Sequence, residues 1–357
     1  PKFYIDYLSY WKAKGNIVDY GSSQAGFDAD QFNTLIGLNP SDYVDFTEGL
    51  DYPQIIKITL KDGLYVPSGN SHKFFIGAFS HNLKDIGCTY FNMNLTDNND
   101  GIIFDTLNID FEEICNWRWH TNVTYNQWSM AEWTGGFSVL PIYHIYFSLN
   151  TGASEPARTI LGNLAFGYAY QMPHSPDLKL TMTREYDGIK EQTTRGGSSL
   201  TQINYASDWA GTPAWEIQAN NVAGRIDSRF IETRVSARGR RVWDLKFSYV
   251  EYRDMFPLNE LINVGNPTDS ETEGGYDNGD FGVANGSFTS DIRREDSFMG
   301  VVMEKTIGGA LPFIFQPDGN NNSPDQFAIC KIDQDSFKYK QVANNVYDIS
   351  LDIVEVW

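Results

Sequence analysis

Histidine and cysteine are scarce in this 357-residue chain, five of the first and three of the second. The histidines, His72, His81, His120, His144 and His174, show no H-x-x-x-H spacing, so no histidine-built metal centre is indicated. Cys88, Cys115 and Cys330 are far apart and odd in number, which excludes a metal knuckle and a disulfide framework. They are expected as free thiols, mostly buried, in a protein made in a reducing cytosol. Long apolar runs are also missing. The longest, Phe137 to Phe147, is broken by Pro141 and His144 and is too short to cross a bilayer. The opening Pro1-Lys2-Phe3-Tyr4-Ile5-Asp6 lacks a basic start followed by an apolar core, so no signal peptide is expected. Positive charge is short: 27 basic against 46 acidic residues leave a formal charge of −19. Such a surface repels phosphate backbones and anionic lipid, and neither nucleic acid nor membrane is expected as a partner. Neither a phosphate-cradling G-x-x-x-x-G-K-[ST] nor a G-x-G-x-x-G occurs, and "GSSQAG" and "GGSSL" miss the second glycine of an esterase elbow. No cofactor, metal or catalytic residue is assigned.

What is present points to β-structure. The chain is 41% hydrophobic and 15% aromatic and carries 31 glycines. That is enough apolar material for real cores, and length alone suggests two domains. Strand-length runs recur between Asn, Asp and Gly: Gln54 to Leu60, Lys73 to Leu83, Thr89 to Leu95, Ile102 to Phe111 and Val139 to Leu149. Later runs alternate apolar with polar residues. Leu178, Leu180 and Met182 share one face, as do Trp243, Leu245, Phe247 and Tyr249, and Tyr347, Ile349, Leu351 and Ile353. The expected fold is mainly β. An extended arm (1–20) leads into a jelly-roll sandwich (21–152), with a junction near Asn150 to Arg158. A second β-rich domain (153–357) then holds one helix, within Asp291 to Gly309, and a long polar, acidic loop (263–287).

Few segments carry chemistry. "TDNNDG" (Thr96 to Gly101) suggests a calcium loop, but with Gly101 at the sharp turn Thr96 and Leu107 fall where carboxylates belong. A looser oxygen site there stays open. In "CNWRWH", Trp117 and Trp119 alternate with Arg118 and His120, so one face can offer rings to a sugar or a partner chain, or turn them into the core. "RGRRVW" is the densest basic cluster, suited to pairing acidic neighbours, including across a subunit boundary.

The blocks "YQMPHSPDLKLTMTREYDGIK", "RGGSSL", "GRRVWDLKFSY", "GGALPFIFQPD" and "FAICKIDQDSFKYKQVANNVYDISLDIVEVW", in that order, resemble tail proteins of tailed bacteriophages of marine and environmental origin. "FFIGAFSHNLKDIGCTYFNM" is similar to a discoidin or galactose-binding jelly roll. The resemblance implies a non-enzymatic virion component of the distal tail, tail tip or baseplate. It would be made in host cytoplasm and assemble with copies of itself and with other tail proteins. Two alternatives belong beside it: a carbohydrate-binding host-adsorption module, and a polysaccharide hydrolase. The assembly contacts expected are Arg240, Arg241, Pro312, Val356 and Trp357, on the reasoning that Pro312 marks an edge strand left open for a neighbour and that the C-terminal residues run past the core.

Overall fold

Five consecutive residues near the start of the chain, Lys2–Asp6, are all buried, and they form a central strand of the largest sheet in the computed structural model. The structure describes residues 1–23, 27–39, 43–46, 54–64, 73–83, 88–106, 112–115, 128–134, 141–151, 159–178, 181–185, 189–203, 240–256, 297–322 and 326–356. Its strands in the first half are β1 (Lys2–Asp6), β2 (Ile17–Ser22), β3 (Val44–Phe46), β4 (Gln54–Leu64), β5 (Lys73–Phe79), β6 (Cys88–Thr96), β7 (Ile102–Asp105), β8 (Glu112–Cys115), β9 (Trp128–Thr134) and β10 (Ile142–Thr151). The second half adds β11 (Thr159–Leu161), β12 (Asn163–Gln171), β13 (Thr181–Glu185), β14 (Ile189–Thr193), β15 (Ser199–Ile203), β16 (Arg240–Glu251), β17 (Phe313–Gln316), β18 (Ala328–Ile332), β19 (Lys338–Ala343) and β20 (Val346–Glu355). Helices are short: α1 (Tyr7–Ala13), α2 (Ala29–Leu35), α3 (Tyr252–Met255) and a π-helical turn at Phe298–Met303.

The large sheet runs β13-β16-β20-β18-β17-β1-β12-β5-β9-β8, with β19 beside β20. A five-stranded sheet, β2-β4-β10-β6-β7, faces part of it. The chain passes back and forth between the two sheets, as in a jelly roll: β4 to β5, β5 to β6, β9 to β10. Their inner faces share one core, which joins Phe74, Ile76 and Phe166 to Ile56, Ile58, Met93 and Phe147. Trp133 spans the gap, its ring 5.8 Å from Phe74 and 5.3 Å from Phe104 of the facing sheet. A smaller apolar cluster, with Tyr4, Phe75, Phe79, Met130, Ile314 and Phe327, covers the other face of the large sheet. The mainly β architecture matches the sequence expectation.

Several expectations change. Residues 1–20 are no extended arm: they form β1, α1 and most of β2, and β1 pairs with β12 on one side and β17 on the other. The large sheet therefore runs straight through the division expected near residue 152. The helical stretch inside Asp291 to Gly309 begins at Phe298, capped by the Ser297 hydroxyl on the Gly300 N–H, and the chain turns away through positive φ at Gly308 and Gly309. Asp291 and the loop 263–287 lie outside the described residues. Cys88 and Cys330 are buried free thiols, as expected.

Asp6 joins three elements. Its carboxylate caps α1 by accepting from the Leu8 and Ser9 N–H groups and the Ser9 hydroxyl, and it reaches across the sheet to accept from Phe166 N–H. Full burial nevertheless pushes its pKa up to about 6, against the downward pull of those donors. A raised carboxyl pKa means that the fold holds a proton which the unfolded chain has already lost, so this contribution to stability falls as pH rises from about 4 to about 6. We expect Asp6→Asn, which cannot ionise, to flatten that part of the stability–pH curve by roughly 2–3 kcal/mol. Urea melts of both proteins at pH 4, 5, 6 and 7 check this, and parallel curves would refute it.

Candidate functional site

In a strand, alternate residues face opposite sides, so register decides what the outer face of the five-stranded sheet presents. Met93 and Leu95 of β6, Ile56 and Ile58 of β4, and Ile145 and Phe147 of β10 point into the core. Their neighbours therefore line the outside. One row across the sheet reads Lys57, Tyr146, Asn94, Asp105, and the next reads Thr59, His144, Thr96. The turn between β6 and β7 folds over these rows. Asp97 Oδ1 accepts from Asn99 N–H and Gly101 N–H, both at 2.8 Å, which sets the turn, and Asp100 adopts a left-handed φ of 60°.

That turn brings the Asp100 carboxylate over Tyr146, whose hydroxyl donates to Oδ1 at 2.6 Å. Lys57 Nζ lies 3.6 Å from the same oxygen and 5.1 Å from the Tyr146 ring centroid. His144 completes the group, with Nε2 3.7 Å from Asp100 and Nδ1 3.3 Å from the Thr59 hydroxyl. The Tyr146 hydroxyl, helped by Lys57 and His144, holds the Asp100 carboxyl below its ordinary pKa. Burial and then Lys57 lower the pKa of His144, against the upward pull of Asp100 and Asp97. Contact with Tyr146 raises Lys57, with Asp100 adding to the effect. Once its amide is turned by 180°, Asn94 donates to Asp105 Oδ1 at 3.0 Å. The result is an aromatic ring encircled by ammonium, carboxylates, amide, hydroxyl and imidazole.

Of the contact residues expected from the sequence, the four that are described, Arg240, Arg241, Pro312 and Val356, lie outside this group. Trp117, Arg118, Trp119 and His120 fall outside the described residues, as does Trp357. Pro312 precedes β17, which is no edge strand: β1 and β18 flank it. Arg241 turns inward. Its Nε and Nη2 grip Glu355 at 2.9 and 2.8 Å, its backbone N–H adds a third bond at 2.9 Å, and Nη2 also donates to the Phe327 carbonyl. The charge is matched within the chain. Arg240 stands opposite Glu185 in the β13–β16 register. Val356 donates its N–H to Ile329 and packs on the smaller apolar cluster, so β20 is held by its own sheet.

A second polar pair, His81 with Ser129, calls for a chemical check because hydrolases use such pairs. His81 Nδ1 accepts from Leu83 N–H, so its proton sits on Nε2 and is donated to Ser129 Oγ at 3.0 Å. Full burial depresses the ring's pKa to about 3. This imidazole donates to the serine and cannot take its proton; the pair is structural. Among the described residues no group of three or more His, Cys, Asp or Glu side chains is placed to hold a metal ion. Likewise, no helix among them is long and apolar enough to cross a membrane.

A different feature stands out on the surface. All five residues of β13 are exposed, and its only ladder partner among the described residues is β16. Beyond it β14 and β15 form a separate two-stranded hairpin. Leu178 is 105% exposed, Leu200 59% and Met182 52%. The alternation in sequence predicts Leu178 and Met182 on a core-facing side; the structure leaves both in solvent.

No family model matches the chain, and no curated protein matches it. Two solved structures show partial likeness. One is a pectin-binding carbohydrate-binding module, with 8% identity and a TM-score of 0.24 over 42% of this chain and 90% of that one. The other contains the CBM32-1 and CBM32-2 domains of ZmpB from Clostridium perfringens, with 12% identity and a TM-score of 0.25 over 46% of this chain and 36% of that one. Likeness at this level assigns neither ligand nor activity.

Proposed function

We propose that this protein is a non-catalytic structural component of a bacteriophage tail, working through surfaces that meet copies of itself and other virion proteins. The carrying observation is the β13–β15 region, where Leu178, Met182 and Leu200 stand in water and β13 has β16 as its one ladder partner among the described residues. Exposed apolar side chains beside a strand edge invite association with another chain, and a protein that must remain monomeric blunts such an edge. The ordered sequence blocks similar to phage tail proteins cover the same half of the chain.

Light scattering and negative-stain images of the purified protein test the reading. Closed oligomers or stacked discs are expected. Changing Leu178, Met182 and Leu200 together to serine should weaken association by at least about tenfold, since a few buried anchors dominate most interfaces. The melting temperature should stay close to that of the parent protein, because none of the three side chains is in the core. A parent protein that stays monomeric at the highest soluble concentration would remove the reading.

A second reading is carbohydrate binding, as in host adsorption. It is supported by the ring of polar groups around Tyr146. Both readings are compatible in one tail component.

A further inference from the structure

We propose that His144 and Lys57 compete for the one carboxylate of Asp100, which makes the fastening of the β6–β7 turn to the five-stranded sheet a proton-sensitive exchange. Three groups converge on a single oxygen of that carboxylate. The Tyr146 hydroxyl donates to Asp100 Oδ1 at 2.6 Å, Lys57 Nζ stands 3.6 Å from it and His144 Nε2 3.7 Å. Strand register fixes the convergence. Lys57 lies opposite Tyr146, and Thr59 opposite His144, in the β4–β10 ladder. One negative charge cannot fully match two cations at that range, so a proton on the ring sets imidazolium against ammonium.

The ring can gain that proton without moving. Asp100 only accepts, so neutral His144 carries its proton on Nε2, and the Thr59 hydroxyl donates to Nδ1 across 3.3 Å. Once Nδ1 is protonated, the Thr59 hydroxyl rotates and accepts instead, while Nε2–H faces Asp100 as part of a cation. Lys57 is the partner that yields. Its side chain, on a flexible stem, is 36% exposed against 15% for His144, so water receives its ammonium with little rearrangement. Leaving also takes Lys57 off the Tyr146 ring, where it stands 5.1 Å from the centroid.

The other charged or titratable groups around the imidazole are Asp97 of the turn, Tyr146 of β10, Lys61 of β4, Asp19 of β2, which lies opposite Thr59, and Asp105 of β7, which Asn94 engages. Burial and Lys57 oppose the protonated ring, Asp100 and Asp97 favour it, and the opposition prevails. A folded ring that takes its proton less readily than the unfolded chain loses stability as pH falls below the ordinary histidine value of about 6.5. Asp6 acts in the opposite sense over an overlapping range, so a global melt blends the two and a local probe is needed. Linkage gives the exchange a consequence for binding: acid favours a partner that needs the Tyr146 ring bare, and neutral pH favours one that needs Lys57 in place.

Nuclear magnetic resonance supplies the probe. The full chain, with carbon-13 in its histidines and lysines, is titrated from pH 8 to pH 4, and His144→Gln and Lys57→Met assign the two signals. His144 should bind its proton at least about threefold more tightly in Lys57→Met than in the parent protein. Its affinity should be unchanged in Lys340→Met, an exposed lysine of β19 in the other sheet. The Lys57 ε-carbon signal should move through the His144 midpoint, and that movement should be missing from His144→Gln. Should Lys57→Met fail to fold, the Lys57 signal in the parent and in His144→Gln decides. Equal proton affinity in the parent and Lys57→Met, or a Lys57 signal that stays still through the His144 midpoint, overturns the exchange.

Discussion

A Gly167→Ala variant should not yield a folded protein. Gly167 lies in β12 opposite Asp6 of β1, where the two backbones approach so closely that a Cβ would stand 1.9 Å from the Ile5 carbonyl oxygen and 3.0 Å from Tyr7 N. Both atoms are main chain, so no side chain can move aside. Relief requires prising β1 from β12 at the point where Asp6 also bonds Phe166 N–H. Losses above about 4 kcal/mol are exceptional for one substitution, and a backbone collision in the middle of a sheet belongs to that group. Against a typical stability of about 5–15 kcal/mol, most of the molecules would unfold or aggregate at 37 °C. Gly21→Ala in β2 is the control, because an added Cβ there meets nothing within 4 Å. Circular dichroism melts read both; a Gly167→Ala midpoint within a few degrees of the parent would show that the two strands are not so close.

The second large effect concerns a buried charge. Lys2 Nζ lies 3.0 Å from both oxygens of Glu132, and the side chains are only 9% and 1% exposed. The Tyr4 hydroxyl is 2.5 Å from the same carboxylate and 2.8 Å from Gln316 Oε1, and the Gln316 amide in turn donates to the Asn321 carbonyl and the Asn322 side chain. Glu132→Ala leaves the buried ammonium without its carboxylate and should cost about 3–5 kcal/mol. The double change Lys2→Met, Glu132→Leu removes both charges and leaves Tyr4 its Gln316 partner. It should recover most of that loss or exceed it, because two desolvated ions gain little over well-packed apolar groups. Denaturant titration of the three proteins decides. If the double variant is no more stable than Glu132→Ala, the network stabilises through geometry rather than through charge compensation.

How much of this is legible in the sequence depends on the physical signal each element leaves. β16 and β20 alternate apolar with polar residues and are half-buried strands, as their pattern indicates. β1 leaves no such trace: buried on both faces, it reads as a featureless aromatic stretch. β13 misleads in the opposite direction, since its alternation resembles a core-facing strand while its side chains stand in solvent. Arg241 is legible as a cation seeking a carboxylate. Its partner, Glu355, comes from a strand 114 residues away and is not. The Tyr146 group needs register, since Lys57, Asp100, His144 and Tyr146 come from three segments. The signals within reach are "TDNNDG" and the single histidine interrupting the apolar run of β10, and nothing in either one points to the other.

The place of β1 bears on how the polypeptide is made. Lys2–Asp6 leave the ribosome before both of their neighbours in the sheet, Asn163–Gln171 and, some 150 residues later still, Phe313–Gln316. Until Phe313–Gln316 emerge, translation leaves a sticky apolar ribbon without one of its mates, the situation in which nascent chains enlist chaperones or clump. Expressing the two halves as separate fragments would make that orphanhood permanent.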